Sequence, residues 1–138
     1  MTTGVLRNAD SNEEMTNGNR LPEIPGIRIT HSRNIGLAIR FDFFIERDAI
    51  DVAITGLLEA LKRFDEFVLA DHRKGDYESC STFRATSAGF EMMTGGHGWS
   101  GEWHSLDYTA ALIELSRIAE FNHGPDWSNC GHLIARGA

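Results

Sequence analysis

Side chains that could do chemistry are concentrated in the stretch TGGHGWSGEWHS, residues 94–105. Glu102 and His104 are two positions apart, so on a strand they lie on the same face. A carboxylate held against the indoles of Trp99 and Trp103 has its charged form disfavoured, which raises its pKa and suits general acid–base catalysis. Strand alternation also separates Glu102 from Trp103, however, and this favours the alternative that Glu102 points to water.

The same stretch matches the pattern G-x-G-x-x-G at Gly96, Gly98 and Gly101. In a dinucleotide-binding protein, a strand precedes this pattern and a helix begins within it, because the pyrophosphate rests on the N-terminus of that helix. Here the residues EWHS follow, and the nearest predicted helix begins beyond them. We interpret the match as accidental. The sequence has no Walker A motif, nucleophile elbow, HExxH, CxxC or EF-hand loop.

Metal ligation is a second chemical hypothesis for this part of the chain. Zinc binds imidazole, thiolate and carboxylate groups, and a catalytic zinc site has three protein ligands. The candidate ligands are His97 and His104, which flank the loop, with Cys130 and His132, which lie two residues apart. Their spacings match no compact ligand pair. We therefore expect these histidines to be surface or hydrogen-bonded core groups, and we expect no zinc or other cofactor.

Recognition of another macromolecule is the third hypothesis for the loop. Tryptophan is over-represented in binding hot spots, and glycines let a loop bring its backbone close to a partner. Trp127 lies in a second turn-rich segment, GPDWSNCG, although one or two of the three tryptophans are expected in the core. The binding surface is predicted to include Trp99, Trp103, Trp127, His97 and Glu102.

The charge composition of the chain restricts the classes of macromolecule that it is expected to bind. The chain has 138 residues, the length of one domain, and its 20 acidic and 13 basic residues give a formal net charge of −7. Nucleic acid is not expected as a partner, because phosphate binding requires a basic surface. An acidic face suits a protein with a basic surface, although acidity also serves solubility alone. Lysine occurs only at Lys62 and Lys74 among many arginines, which indicates a GC-rich bacterial or phage source.

The expected location is the cytoplasm. The N-terminal residues contain no apolar segment typical of a signal peptide, and no later segment is long and apolar enough to predict a membrane span. The cysteines Cys80 and Cys130 are then expected to be reduced, with a single disulfide between them as the alternative.

The segments that position these residues can be predicted from their periodicity. Residues 1–24 are polar and aperiodic, which predicts a flexible tail before a single domain over 25–138. Alternating apolar residues predict strands over 27–32 and 35–44. Asp48 is the expected N-cap of a helix whose apolar stripe extends from Ile50 to Phe64. Gly56 in that helix suggests close packing against the sheet.

The second half of the chain has clearer boundaries. Residues 66–70 fit either a longer helix or a strand, and residues 71–79 read as a charged loop. Strands are predicted around 81–93, with a break near Gly89, and around 99–104. A second helix begins after Ser105 or Asp107 and stops before Gly124 and Pro125, and residues 132–136 are expected to form an edge strand. Together these segments predict an α+β fold, a mostly antiparallel sheet of about five strands with two amphipathic helices on one face.

These observations favour a protein that acts by binding another protein. Toxin-neutralising immunity proteins and phage anti-defence proteins share the small size, the acidity and the absence of a catalytic motif. One alternative is a small metal-dependent or acid–base enzyme, or a ligand-binding domain, that uses His97, Glu102 and His104. Another is a structural subunit of a homo-oligomer whose tail orders on assembly.

Overall fold

The computed structural model describes residues 21–74, 78–96, 98–122 and 129–136. Within them, eight strands and two α-helices follow one another along the chain. The order is β1 (Ile27–Ile35), β2 (Ala38–Ile45), α1 (Ile50–Ala60), β3 (Glu66–Ala70), β4 (Cys80–Thr86), β5 (Gly89–Gly96), β6 (Trp99–Ser100), β7 (His104–Leu106), α2 (Tyr108–Phe121) and β8 (Cys130–Arg136). A short 3-10 turn, His72–Lys74, follows β3. Neither α-helix in this part of the chain combines the length and apolarity needed to cross a membrane.

The strands form one sheet in the order β1-β2-β8-β3-β4-β5-β6, and every described pairing is antiparallel. β7 pairs with β5 beside β6, so these two short strands together form one outer edge. The predicted α+β class with a mostly antiparallel sheet is confirmed, although the sheet has eight strands instead of about five. The predicted edge position of residues 132–136 is wrong, because β8 lies between β2 and β3.

A row of large apolar side chains crosses the middle of the sheet. Phe41 is paired with Leu133, Leu133 with Phe67, Phe67 with Phe83, and Phe83 with Met92. All five side chains are buried, and the rings of Phe67 and Phe83 stack with centroids 5.0 Å apart. Burying a side chain of this size contributes about 1.5–3 kcal/mol. This row forms the centre of the core.

Both helices cover the face of the sheet that carries this row. Leu57 of α1 and Leu115 of α2 are fully buried in the same apolar cluster as Phe67. Asp107 caps α2 as predicted, since its carboxylate accepts the Ala110 backbone N–H at 2.8 Å. The other face of the sheet is not covered by a described helix. The sheet therefore has two chemically different sides.

The predicted start of α1 is wrong. The helix begins at Ile50 after Ala49, whose side chain has no hydrogen bond to the helix, and the expected cap Asp48 precedes it. Gly56 packs against the entry segment and not against the sheet, because a Cβ there would lie 2.5 Å from Ile24 Cγ2. Ile24 is buried, so the apolar anchor of this helix is the chain that precedes β1.

The strand predicted over 35–44 is shorter than expected. Ile35 ends β1, and Gly36 adopts a φ of 70°, which turns the chain into β2 at Ala38. Leu37 lies in that turn and is 90% exposed. Strict alternation of apolar residues therefore continued across a hairpin turn, and only the positive φ at the glycine marks the break.

Two further segments resolve into strands. Residues 66–70 form β3 and do not extend the preceding helix, which ends at Ala60. The break predicted near Gly89 divides the segment 81–93 into two strands, because β4 and β5 are the two arms of a hairpin with Ser87 and Ala88 in its turn. This hairpin brings the start of the tryptophan and glycine stretch to the edge of the sheet.

Candidate interaction site at the tryptophan and glycine loop

The glycines between β5 and β7 are required by close contacts. A Cβ on Gly96 would lie 2.7 Å from Trp99 Nε1, and a Cβ on Gly101 would lie 2.8 Å from the Thr94 carbonyl oxygen. The Gly101 N–H donates to that same carbonyl at 2.8 Å. Gly98, by contrast, has a φ of 80° with no atom near its Cβ position, which is typical of a turn. The loop is therefore held in one arrangement by backbone contacts. The candidate residue His97 lies outside the described residues.

Trp99 is the exposed aromatic group of this loop. Its indole lies against the backbone at Gly96 and is 42% exposed. It forms one wall of a cavity of about 390 Å³, which is also lined by Thr94, Glu102 and His104. In the described part of the chain, no ring or guanidinium stacks on this indole. The structure thus places a rigidly held indole next to a carboxylate at the surface.

Glu102 and His104 lie at one cavity, although Glu102 is outside the strand on which the prediction from their spacing depended. Both line the cavity beside Trp99, and both are exposed. His104 lies in β7 opposite Met92, whereas Glu102 lies in the break between β6 and β7. Glu102 therefore lacks the burial on which the acid–base hypothesis depends. No described cation pairs with it.

The cavity has a buried charged base that was not found from the sequence. Asp71 is fully buried and receives two hydrogen bonds from the Arg73 guanidinium, Nε to Oδ1 at 2.9 Å and Nη2 to Oδ2 at 2.8 Å. The remaining terminal nitrogen, Nη1, donates to Glu114 of α2 at 3.0 Å. Arg73 lines the cavity, so this network connects its floor to α2 and to the end of β3.

Asp71 is held as a carboxylate by these partners. Burial raises the pKa of Asp71, but hydrogen bonds from Arg73 and Ser81 and the Arg73 charge outweigh burial, so its pKa lies below the ordinary value. Hydrogen bonds to Asp71 and Glu114 in turn raise the pKa of Arg73 despite its burial. Two ionised groups of opposite charge therefore form the permanent base of the cavity.

A chain of hydroxyl groups extends from Asp71 to the cavity wall. Ser81 donates to Asp71 Oδ2 at 2.6 Å, and the Ser81 and Thr94 oxygens are 2.7 Å apart. Because a hydroxyl has one hydrogen and Ser81 gives its own to Asp71, Thr94 must be the donor to Ser81. The Thr94 oxygen then has only acceptor capacity left for a group in the cavity.

Trp103 has a different environment, although it is only four residues from Trp99. The Arg84 guanidinium carbon lies 3.6 Å from the centre of the Trp103 ring, and Arg84 Nε donates to Glu91 at 2.8 Å. Arg84 and Glu91 face each other across β4 and β5 on the side of the sheet without helices. The indole of Trp103 is thus already covered by a cation and its carboxylate.

The other predicted metal ligands lie far from His104. Cys130 and His132 in β8 point to the same side of the sheet, as expected from their spacing, and line a cavity of about 720 Å³ with Cys80. His104 lines the cavity on the opposite side, next to Trp99. In the residues that the structure describes, no three potential ligands among histidine, cysteine, aspartate and glutamate gather at one point.

His132 is a half-buried group in this larger cavity. Burial, together with the nearby Arg40 and Arg33 charges, lowers its pKa to about 4, while Asp42 acts in the opposite direction. Arg40 donates to Asp42 at 2.7 Å on the same wall. The hydroxyl of Ser79 also lines this cavity, and it is buried without a hydrogen-bond partner.

Cys80 and Cys130 are unpaired thiols. Cys80 is paired with Ala70 of β3, and Gly131 is paired with Leu69, so the cysteines flank β3 on its two sides. Two strand spacings separate their Cα atoms by about 10 Å, which is too far for a disulfide. Burial raises the pKa of both thiols.

Sequence reasoning did not find several residues that shape the loop site. Asp71 and Arg73 were assigned to a charged loop, and nothing in their immediate sequence indicates burial. A signal existed in the strands, where Ser81 and Thr94 occupy inward positions next to Phe83 and Met92. A hydroxyl at a core position predicts a buried polar partner. Trp127 lies outside the described residues, so its predicted place in the site stays a prediction.

Comparisons of the chain with protein-family models, with curated proteins and with solved structures find no match. The functional argument therefore depends on the site itself.

Proposed function

We propose that this chain acts by binding another protein, with the surface around Trp99 at the centre of the interface. This Trp99 surface consists of Thr94, Trp99, Glu102 and His104. The observation that supports the proposal most strongly is the indole itself, which is exposed and yet fixed by the backbone at Gly96. A rigid exposed tryptophan loses little conformational freedom on binding, which is why such residues dominate hot spots.

Charge complementarity supports a partner with a basic surface. The chain has a formal net charge of −7, and Glu102 stands at the Trp99 surface without a described cationic partner. Oppositely charged surfaces accelerate association and select against acidic partners. Raising the salt concentration from about 50 to 500 mM should therefore weaken the complex, since salt screens exposed charges. Unchanged affinity over this range would remove the electrostatic part of the proposal.

The first experiment is capture from the source lysate with the purified full-length chain as bait. Trp99→Ala should lose the proteins that the wild-type chain retains. Leu37→Ala is the matched control, because it also removes an exposed apolar side chain but in the hairpin turn of β1 and β2, at the opposite edge of the sheet. Retention by Trp99→Ala with loss by Leu37→Ala would place the interface at that other edge and contradict the proposal.

Within this proposal the chain is an inhibitor, of the immunity or anti-defence type, in the cytoplasm of a bacterium or encoded by a phage. A small acidic protein can neutralise a basic enzyme by covering its substrate site, and this needs no catalytic group of its own. The two unpaired thiols suit a reducing compartment. Assembly into a homo-oligomer remains an alternative, and the molar mass in solution tests it directly.

A second candidate function is the binding of a small apolar ligand on the side of the sheet without helices. The observation that favours it is the cavity of about 720 Å³, whose wall includes Phe44 and Val68 and the unpartnered Ser79 hydroxyl. Ligand cavities commonly have this size and a mostly apolar wall. Anilinonaphthalene sulfonate should fluoresce with the wild-type chain and not with Val68→Trp. Equal fluorescence would exclude this cavity as the site.

A further inference from the structure

We propose that the Trp99 surface accepts an arginine side chain of the partner, with its guanidinium stacked on Trp99 and hydrogen-bonded to Glu102 and Thr94. This inference rests on the proposed function and specifies the chemistry of the partner. It follows from three features of the Trp99 surface. They are its hydrogen-bonding capacity, its charge, and its similarity to the cluster of Trp103, Arg84 and Glu91 on the other side of the sheet.

The first feature is that two of the polar side chains facing the cavity, Thr94 and Glu102, offer acceptors, beside the Arg73 guanidinium and the His104 imidazole. The Thr94 hydroxyl donates its hydrogen to Ser81, because the Ser81 hydroxyl donates to Asp71. The Glu102 carboxylate accepts hydrogen bonds and donates none. A guanidinium has five donor hydrogens and no acceptor, so it is complementary to such a wall, whereas a carboxylate or phosphate is not.

The second feature is charge. Arg73 also lines the cavity, but its guanidinium is occupied by Asp71 and Glu114. The exposed Arg117 gives Glu114 a further contact at 3.6 Å, so this network of two carboxylates and two guanidiniums is balanced. Among the described residues, Glu102 is left without a compensating charge at the Trp99 surface, and a cation there would neutralise it.

The third feature is an arrangement inside the same molecule. On the other side of the sheet, Trp103 is covered by Arg84, and Arg84 is bonded to Glu91. This is an indole, a guanidinium and a carboxylate in mutual contact. Trp99 and Glu102 supply an indole and a carboxylate without the guanidinium. A planar guanidinium stacks on an indole while its edge remains free for a carboxylate, which explains why arginine completes both groups.

The test uses two short peptides and the isotope-labelled full-length chain. One peptide, acetyl-Gly-Ser-Gly-Arg-Gly-Ser-Gly-amide, carries the guanidinium, and the other replaces its arginine with citrulline, which has the same shape without the charge. The indole N–H resonance of Trp99, assigned from Trp99→Phe, is followed during titration. The arginine peptide should shift it in a saturable way, and the citrulline peptide should shift it at least about threefold less at equal concentration. Equal shifts with the two peptides, or no shift with either, would overturn the inference.

Glu102→Gln and Thr94→Val separate this inference from the proposed function. Both variants preserve side-chain shape, and Glu102 is exposed, so Glu102→Gln should fold normally. Glu102→Gln should weaken the arginine peptide by about threefold or more, since it removes the uncompensated charge. If the captured partner depends on Trp99 but tolerates Glu102→Gln, the interface stands and the arginine site is refuted. If the partner is indifferent to Trp99, the proposed function itself fails.

Discussion

Trp99 and Trp103 are four residues apart, yet their indole rings have different environments. Trp103 is covered by Arg84, which Glu91 holds in place, on the side of the sheet without helices. Trp99 lies at the mouth of a cavity between the sheet edge and Arg73, with an uncovered indole. The difference arises from residues of other strands, because β4 and β5 supply a guanidinium on one side only. Two tryptophans of one loop can therefore have different surroundings, and Trp99 is the more exposed of the two.

The largest expected effect comes from the base of the cavity at Trp99. Asp71→Asn removes the fully buried carboxylate of a pair whose Arg73 guanidinium is 26% exposed and keeps Glu114, and breaking a buried pair costs up to roughly 3–5 kcal/mol. Urea unfolding should report this loss, and binding through Trp99 should weaken with it. Asp48→Asn is the matched control, because Asp48 is exposed and should change stability by less than about 0.5 kcal/mol. Equal stability of the two variants would contradict the structural role given to Asp71.

The ionisation of Asp71 should also make the stability of the fold depend on pH. Because the pKa of Asp71 is lower in the folded chain, its contribution is complete above the unfolded value, about 3.9, and is lost as the pH falls through the lower folded value. The stability difference between the wild-type chain and Asp71→Asn should therefore be constant near neutral pH and shrink below about pH 4. A constant difference down to pH 2 would show that the ionised form is not what stabilises the fold.

The next effect compares two glycines of the loop. Gly96→Ala places a methyl group 2.7 Å from Trp99 Nε1, so the indole must move. Overpacking of this kind costs roughly 1–3 kcal/mol. Gly98→Ala meets no neighbouring atom and suffers only from its φ of 80°, which costs about 1 kcal/mol. Partner affinity should fall with Gly96→Ala and change little with Gly98→Ala, whereas equal affinities would show that the indole needs no fixed position.

On the other side of the sheet, His132 should titrate far below an ordinary histidine. Its pKa is lowered to about 4 by burial and by nearby arginines, so between that value and about 6.5 the unfolded chain binds a proton that the folded chain does not. Stability should therefore fall as the pH decreases through this window, and His132→Gln should be less sensitive. A His132 imidazole resonance, assigned by its absence from His132→Gln, that titrates near pH 6.5 would contradict this desolvation.

The smallest expected effect concerns the covered tryptophan. Arg84→Met removes the guanidinium from Trp103 and breaks a partly exposed ion pair with Glu91. The combined loss should be about 1 kcal/mol of stability, with partner affinity unchanged. The emission of Trp103 should shift as its ring gains solvent. A fall in affinity would mean that the covered indole, and not the open one, contributes to the interface.

The local structure of this protein could be predicted where periodicity and caps agree. Helix α2 is the clearest example, since Asp107 caps it and its apolar stripe, including Leu115 and Ile118, is buried. The placement of β8 could not be predicted from alternation alone. Its adjacent Leu133 and Ile134 are both buried, and the strand lies between β2 and β3 in the sheet. Strand order is set by contacts between segments that are distant in sequence. These contacts do not change the apolar periodicity of either segment, so periodicity cannot predict the order.

The candidate site shows the same limit. Glu102 and His104 line the same cavity, and the loop glycines, which were expected to approach a partner, lie close to the chain's own backbone and indole. What distinguishes the two tryptophans, however, is the presence of Arg84 beside one of them. That contact depends on the β4–β5 hairpin. Sequence therefore indicated where the site is but not which indole is open.

The most direct test of the account is the affinity of the captured partner for Trp99→Ala and Trp103→Ala, measured by calorimetry with wild-type chain as reference. The account predicts a loss of about 2 kcal/mol or more for Trp99→Ala and less than about 1 kcal/mol for Trp103→Ala, with both variants folded. Equal losses, or a larger loss for Trp103→Ala, would contradict the assignment of the interface to the open indole.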